Sequence, residues 1–333
     1  MPKISVLMPV RDAMPFLPGA LASLQAQTFD DFEVLCVDHG SRDGGGELLA
    51  QWQDRDPRFR RLAFSGGSLP DALNFGLRAC RGDLVARMDA DDLCLPGRLR
   101  AQAAFLEADP GLGLAGCGVE LFAEGGLSGG YRAYQAWLDS IVDAEDLARE
   151  LFVECPLPHP GWMARREVYG RLSGYPDEGF PEDYHFLLRA VEAGIRLGRV
   201  PETLLRWRDH GRRHSRGHAR YGRQAFFGLK ARFLVRLFLK GRPCVLWGAG
   251  DRARLLARLL KAEGADIFFA VGQAGRGRPT SMHGVPVLAA EEVRLPLPAP
   301  LIACVGAPGA RQVIRDWCSR HGLLEGLDWV AAS

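Results

Sequence analysis

Four short apolar runs, each followed by a stretch with helical spacing or by a turn, occupy the first ninety residues. This alternation constrains the fold more than any other feature of the chain. Ile4–Met8, Phe32–Val37, Arg60–Phe64 and Leu84–Met88 have the length and composition of strands. Between them, Pro15–Gln27 carries Phe16, Leu17, Ala20, Leu21 and Leu24 at helical spacing, Glu47–Gln53 gives a short helix, and Pro70–Ala79 sets Leu73, Leu77 and the following Cys80 on one side. Such alternation predicts βαβ units and a mainly parallel sheet flanked by helices. Ligands of parallel sheets bind beyond the carboxyl ends of the strands. Two acidic clusters fall at such ends: Asp38 after the second run and Asp89-Ala90-Asp91-Asp92 after the fourth.

Beyond this region the pattern changes twice. Residues 111–160 are richer in Gly and Pro and read as less regular, before Glu182–Ala193 gives a clear helix and Thr203–Trp207 a strand. From Arg206 to Arg242 there are twelve lysines and arginines against the single acid Asp209. Within that segment Gln224–Lys240 reads as a basic helix bearing Phe226, Phe227, Phe233, Leu234, Leu237 and Phe238. A second βαβ pattern follows, with Cys244–Trp247, the turn Gly248-Ala249-Gly250 and the helix Arg252–Glu263. A length of 333 residues suits two domains. The expected division is 1–220, a connecting helix over 221–240, and a smaller Rossmann-like α/β domain over 241–333. Its glycine turn carries Ala253 at the third glycine position, which is tolerated. The ribose-binding acid expected about 20 residues on is missing, because Val271-Gly272-Gln273 ends the second strand. Close glycine packing without a ligand is therefore favoured over a dinucleotide site. Gly284-Val285-Pro286-Val287 and Leu301–Val305 supply further strands of this domain.

Several classes of function are set aside by composition. Lys+Arg 42 against Asp+Glu 40 gives a net charge of +2, so no charge excess points to nucleic acid. Eight cysteines are scattered singly without a C-x-x-C pair, which argues against a zinc knuckle and suits small buried thiols in a reducing compartment. No apolar run approaches the ~20 residues of a membrane span, and the N-terminus shows no secretory h-region. A cytoplasmic protein is expected. The Gln224–Lys240 helix could also rest on an anionic membrane surface at the inner face. A connecting helix with solvated charges is the favoured reading, and a homo-oligomer is left open.

Three carboxylates in four residues at a strand end are costly without a cation. Asp residues at i and i+2 can aim oxygens at one hard divalent ion and a diphosphate; an Asp-rich helix cap before Pro96 accounts for them equally well. The surroundings shift that balance. Ile4-Ser5-Val6-Leu7-Met8-Pro9-Val10-Arg11-Asp12 resembles the opening of the family 2 glycosyltransferases. Ser23-Leu24-Gln25-Ala26-Gln27-Thr28 is similar to the family's S-x-x-x-Q-T, and Val37-Asp38-His39-Gly40-Ser41-Arg42-Asp43-Gly44 to its V-D-D-G-S-x-D-G. Ala72-Leu73-Asn74-Phe75-Gly76, Ala79-Cys80-Arg81-Gly82-Asp83, and Met88-Asp89-Ala90-Asp91-Asp92 with Pro96 and Arg98-Leu99 follow in the family's order. His159-Pro160, Arg165-Arg166, Gly174-Tyr175 and Glu182-Asp183-Tyr184 complete a resemblance covering residues 1 to about 215.

The resemblance implies a GT-A nucleotide-diphospho-sugar transferase fold, an inverting reaction, and Mg²⁺ or Mn²⁺ as cofactor. It implies a nucleotide-diphosphate sugar as donor and a saccharide or lipid-linked acceptor, as in bacterial surface polysaccharide or glycolipid synthesis. By the same resemblance Asp91 and Asp89 hold the metal, with His210 as a further candidate. Pro9, Val10, Arg11, Asp38, His39, Asn74 and Asp89 bind the nucleotide sugar, and His159, Glu182 and Arg208 contact acceptor or phosphate. Asp183 is the general base. His39 stands where uridine-using members carry a second acid, so a UDP-sugar is the default while thymidine and guanosine donors stay open. His210, His214 and His218 share helical spacing, a minority zinc reading that Gly211 and Gly217 weaken. Three rivals remain. A sugar nucleotidyltransferase would need a Gly-rich, basic loop where Pro9-Val10-Arg11-Asp12 stands. An NAD-dependent oxidoreductase would need the missing ribose acid. A non-catalytic module would be expected to lack Asp91 or Asp183.

Overall fold

The computed structural model describes residues 1–272 and 280–333, without the side chains of residues 214 and 215. Gln273 at the end of the second Rossmann-like strand therefore lies outside the described residues, as does the side chain of His214 in the histidine series. The chain forms two compact units. The first takes residues 1–147, 157–178 and 182–216; the second takes 148–156, 179–181 and 217–333.

The first unit runs β1 (Ile4–Val10), α1 (Leu17–Gln25), β2 (Phe32–Asp38), α2 (Gly45–Arg55), β3 (Phe59–Ala63), α3 (Leu69–Ala79), β4 (Leu84–Arg87) and β5 (Leu93–Cys94). It continues with α4 (Arg98–Ala108), β6 (Leu112–Phe122), α5 (Gly129–Asp139), α6 (Ala144–Glu150, which runs on into the second unit from residue 148), β7 (Met163–Arg165), α7 (Arg166–Arg171), α8 (Glu182–Glu192), β8 (Arg196–Arg208) and α9 (His214–Gly217, whose last residue belongs to the second unit). Its eight strands are ordered β3-β2-β1-β4-β7-β6-β8-β5. The β3, β2, β1 and β4 strands are parallel, and β7 lies antiparallel between β4 and β6. This is the mixed, mainly parallel GT-A sheet. Every residue of β2 is buried, and α1 turns Leu17, Ala20, Leu21 and Leu24 inward, as its spacing predicts. Ser68 and Asp71 form a reciprocal capping box that starts α3. In register, Val10 lies opposite Asp38, so the ends of β1 and β2 open together at one edge.

The Gly-rich stretch after residue 111 is not irregular. It holds β6, an eleven-residue strand paired along most of its length with β8. Its glycines mark close packing. A Cβ on Gly116 would lie 2.4 Å from Leu157, and one on Gly118 would lie 2.7 Å from the Glu202 carbonyl oxygen. The strand expected at Thr203–Trp207 is likewise part of the longer β8.

The second unit contains α10 (Arg223–Phe233), extended by a π-helical turn over Leu234–Leu239, then β9 (Cys244–Trp247), α11 (Asp251–Ala262) and β10 (Ile267–Gly272). It ends with β11 (Ser281–Met282), β12 (Val285–Ala289), β13 (Leu301–Ala303), α12 (Ala310–Arg320) and β14 (Trp329–Ala331). Strand order is β11-β12-β10-β9-β13-β14, parallel except at β11. The Phe/Leu residues of the expected connecting helix are largely covered inside this unit: Phe227, Leu229, Phe233, Leu234, Phe238 and Leu239 are buried, and so is Lys230. A broad apolar face for a membrane surface is therefore not displayed by α10. Among the described residues no helix is long and apolar enough to cross a membrane.

Candidate active site

Pairing of β5 with β8, Leu93 opposite Arg206, brings the end of β8 across the acidic turn that follows β4. Carboxylate oxygens of Asp89, Asp91 and Asp92 all lie within 4.8 Å of one another. Arg208 holds the turn through its backbone N–H, which donates to Asp92 Oδ1 at 2.8 Å, and its Nε, which donates to the Asp91 carbonyl at 2.8 Å. The other oxygen of Asp92, Oδ2, is buried and has no hydrogen-bond partner among the described residues. Burial first, then the neighbouring carboxylates, raises the pKa of Asp91 and lifts that of Asp92 further. These residues fit a hard divalent cation: crowded oxygen donors, desolvated, with one oxygen that meets no proton donor. Asp92 is the member that the sequence reading did not assign.

His210 sits 2.7 Å from Asp91 through Nε2, while its Nδ1 accepts the Arg212 backbone N–H at 3.2 Å. The proton-bearing nitrogen thus faces the carboxylate, and His210 here orients Asp91 and does not present a lone pair to a metal. Phe16 packs against the His210 ring in a tilted arrangement at 4.6 Å, and the Arg208 guanidinium covers Phe16 at 4.8 Å.

Arg87, the last residue of β4, lies beneath the turn. Its side chain is 2% exposed and donates to Asp89 Oδ1 at 2.7 Å and to the Met88 carbonyl. Burial disfavours its charge, but Asp89, and further off Tyr175 and Glu182, hold its pKa above the ordinary value. A lone arginine inside the apolar run Leu84–Met88 was the available signal, because an unpaired charge there would cost several kcal/mol, roughly.

Other assigned residues take different places. Asn74 is committed: its Nδ2 donates to the Tyr175 carbonyl at 2.7 Å and its Oδ1 accepts the Tyr175 N–H at 2.9 Å. It clamps the Gly174-Tyr175 segment with one amide donor and one acceptor. His159 is buried, shares a 2.8 Å hydrogen bond with the Tyr175 hydroxyl, and packs on Trp162. Burial, helped by Arg87, keeps its pKa well below the usual range. It is a neutral core residue and not an acceptor contact. The Val10 side chain is buried, leaving only its backbone at the strand end, whereas Arg11 is exposed and Pro9 partly so. Asp38 accepts from Arg61 at 2.7 Å and from the Ser41 N–H at 3.0 Å. Burial opposes its charge, yet these two donors hold its pKa below the usual carboxylate value. His39 donates from Nε2 to the Gly66 carbonyl at 2.9 Å and packs on Phe64. In α8, Glu182 is buried on the Arg87 and Tyr175 side, while Asp183 is half-buried and accepts the Tyr184 N–H at 2.7 Å.

A mainly parallel sheet whose carboxyl edge gathers Asp38 and the Asp89–Asp92 turn defines a GT-A type transferase fold. Residues 5–172 match the model of the family described as glycosyl transferase family 2. The chain belongs to that family and is a glycosyltransferase. The O-antigen biosynthesis glycosyltransferase WbnJ of Escherichia coli is 27% identical over 232 residues, 68% of this chain and 87% of that protein. Among solved structures, the mannosyltransferase PcManGT of Pyrobaculum calidifontis, in complex with GDP-Man and Mn²⁺, is similar with a TM-score of 0.51 at 22% identity, over 72% of this chain and 64% of that one. TarS 1–349 of S. aureus in complex with UDP is similar with a TM-score of 0.54 at 16% identity, over 78% of this chain and 70% of that one.

Proposed function

We propose that the first unit is a divalent-metal-dependent, inverting glycosyltransferase that moves a sugar from a nucleoside-diphosphate sugar to a saccharide or lipid-linked hydroxyl in surface polysaccharide synthesis. The observation that carries this is the three-carboxylate turn with its buried, unpartnered Asp92 oxygen. Asp89, Asp91 and Asp92 would hold Mg²⁺ or Mn²⁺, whose chemistry is to neutralise the leaving diphosphate. Asp183 takes the proton of the acceptor hydroxyl as its oxygen bonds to the anomeric carbon. The bond from that carbon to the diphosphate oxygen breaks, and the diphosphate leaves with the electron pair. Inversion follows from attack on the face opposite the leaving group. Glu182 is buried, whereas Asp183 is half-buried, which favours Asp183 as the carboxylate able to reach an acceptor.

Uridine is the favoured base. Since His39 Nε2–H is spent on the Gly66 carbonyl, Nδ1 is the ring nitrogen left to accept, and an acceptor there would match the uracil N3–H as a carboxylate would. TarS, solved with UDP, agrees with this choice, and PcManGT, solved with GDP-Man and Mn²⁺, makes guanosine the competitor to test. The name of WbnJ supports the polysaccharide setting. A thermal-shift panel of UDP, GDP and dTDP, each with and without Mn²⁺, tests the reading. The donor's nucleotide should raise the melting temperature only with the metal. No Mn²⁺-dependent shift with any of the three would overturn it.

A further inference from the structure

We infer that Asn74 is a positioning residue for the general base, working through a joint at residues 172–175 that ties α8 to α3. The inference rests on the assignment of Asp183 as base. Every group in the joint belongs to the first unit. On the α3 side, the Asn74 side chain holds both backbone polar groups of Tyr175: Nδ2 donates to its carbonyl at 2.7 Å, and Oδ1 accepts its N–H at 2.9 Å. The chain is shaped for that approach. Ser173 and Gly174 both take left-handed backbone, with φ of 55° and 67°, and a Cβ on Gly174 would lie 2.2 Å from Asn74 Oδ1. A serine in that region is strained and stays there because its surroundings hold it.

On the other side, the same four residues meet the base-bearing helix twice. Arg189 of α8 donates through Nη1 to the Gly174 carbonyl at 3.1 Å and through Nη2 to the Leu172 carbonyl. The Tyr175 ring packs on Phe186 of α8 at 4.9 Å, and Tyr169 packs on Phe186 at 5.0 Å. Phe186 stands three positions after Asp183 and Arg189 three after Phe186, so each neighbours the next on the helix surface. Tyr175 and Phe186 are buried, and the Tyr175 hydroxyl is fixed by His159 at 2.8 Å. A close-packed interior passes a displacement on, because no void absorbs it. Freeing the Tyr175 backbone from Asn74 therefore shifts Phe186 and, one turn earlier, Asp183. None of these contacts involves Asp38 or the Asp89–Asp92 turn. Asn74 should therefore influence turnover and leave donor binding alone.

The test uses full-length protein with Mn²⁺ and reads nucleoside diphosphate release from UDP-, GDP- and dTDP-sugars with water as acceptor, followed with the donor that the parent turns over. Asn74→Ala should lower kcat by about 10-fold, since a 1 Å misplacement can cost about 100-fold and other contacts still hold α8. Donor KM and Mn²⁺-dependent binding of the matching nucleoside diphosphate should not change. In an Asp183→Asn background Asn74→Ala should add no further loss, because both act on one group. Mere loss of folded protein would lower the rate by the same factor in both backgrounds. If Asp183→Asn alone leaves the rate intact, the base assignment fails. If Asp183→Asn is slow but Asn74→Ala has a normal kcat, raises KM as a nucleotide contact would, or multiplies the Asp183→Asn loss, the positioning role fails. Arg189→Met cuts the joint from the α8 side and serves the same comparison should Asn74→Ala not fold; a normal kcat for it would overturn the role equally. Hydrogen exchange reads the joint without turnover. Asn74→Ala should speed exchange over residues 172–175 and 182–186 and leave β1 and β2 as in the parent, and unchanged exchange over 182–186 would overturn the joint whatever the base.

Discussion

The two sheets of this chain are both mainly parallel, yet their carboxyl ends differ in what is left unpaired. Around the ends of β13 and β14 the second unit collects cations. Lys230 and Arg311 donate to the carbonyls of Ala332 and Ser333, and Arg311 and Arg315 pair with Glu150 and Glu325. Arg252 lies across Gly306, where a Cβ would sit 2.8 Å from its Cδ. Lys230, Arg311 and Arg315 are matched from within the unit, as in a packed core. The first sheet instead gathers three carboxylates with too few donors and a buried oxygen that meets none. Architecture alone does not make the site. Uncompensated charge at the strand ends does.

The strongest way to break this contrast is to remove the carboxylates. Asp91→Ala is expected to abolish Mn²⁺-dependent binding of nucleoside diphosphate, because the cation loses its protein anchor. Calorimetry that shows unchanged Mn²⁺-dependent affinity would return the acidic turn to the status of a helix cap.

Next in size is Asp183→Asn. It should leave donor binding nearly intact and cut turnover by roughly 100-fold or more, the range for loss of a general base. Near-normal transfer by the variant would mean that the chemistry of the first sheet does not run through α8.

Much of this contrast is legible in the amino-acid order. The β1 to β4 strands, their helices and the acids at their ends follow from local periodicity, because a buried parallel strand and its terminal turn are both short-range features. What hides is long-range. Nothing near Asn74 in the sequence announces that its amide also spans to Tyr175, 101 positions away. Gly116 and Gly118 read as loop because the residues that need their missing side chains, Leu157 and Glu202, lie far along the chain. Arg87 is visible as a charge in an apolar run, but not its partner. The same holds for α10. Its basic, Phe-rich sequence suits a surface helix, and only the tertiary contacts of Lys230 show it to be interior. No local pattern marks 148–156 and 179–181 as belonging to the second unit.

A smaller effect sharpens the reading of the glycine turn after β9. Gly248 has φ +140°, and a Cβ there would lie 2.2 Å from the Cys304 carbonyl oxygen. Backbone packing therefore accounts for this glycine without a ligand. Gly248→Ala should destabilise the second unit by roughly 3 kcal/mol, combining backbone strain with a clash against a main-chain atom that cannot rotate away. Urea unfolding checks it. A variant as stable as the parent would reopen the turn as a ligand loop.

The smallest effect concerns pH and separates matched from unmatched charge. Burial pushes the Lys230 pKa down to about 8, with Glu154 opposing the shift, whereas an unfolded lysine titrates near 10.4, approximately. Between these values the folded chain has lost a proton that the unfolded chain still binds. Unfolding then takes up a proton, so the Lys230 contribution to stability rises with pH across the window from about 8 to 10 and is flat below it. Lys230→Met strands the Val153 and Ala332 carbonyls, takes this cation from Glu154, and removes the group that titrates in this window. The difference in unfolding free energy between parent and variant should therefore grow by about 1 kcal/mol per pH unit above pH 8. Parallel stability curves for the two proteins would show that the ammonium is as well satisfied by the two carbonyls and Glu154 as it is in water, with no net penalty from its burial.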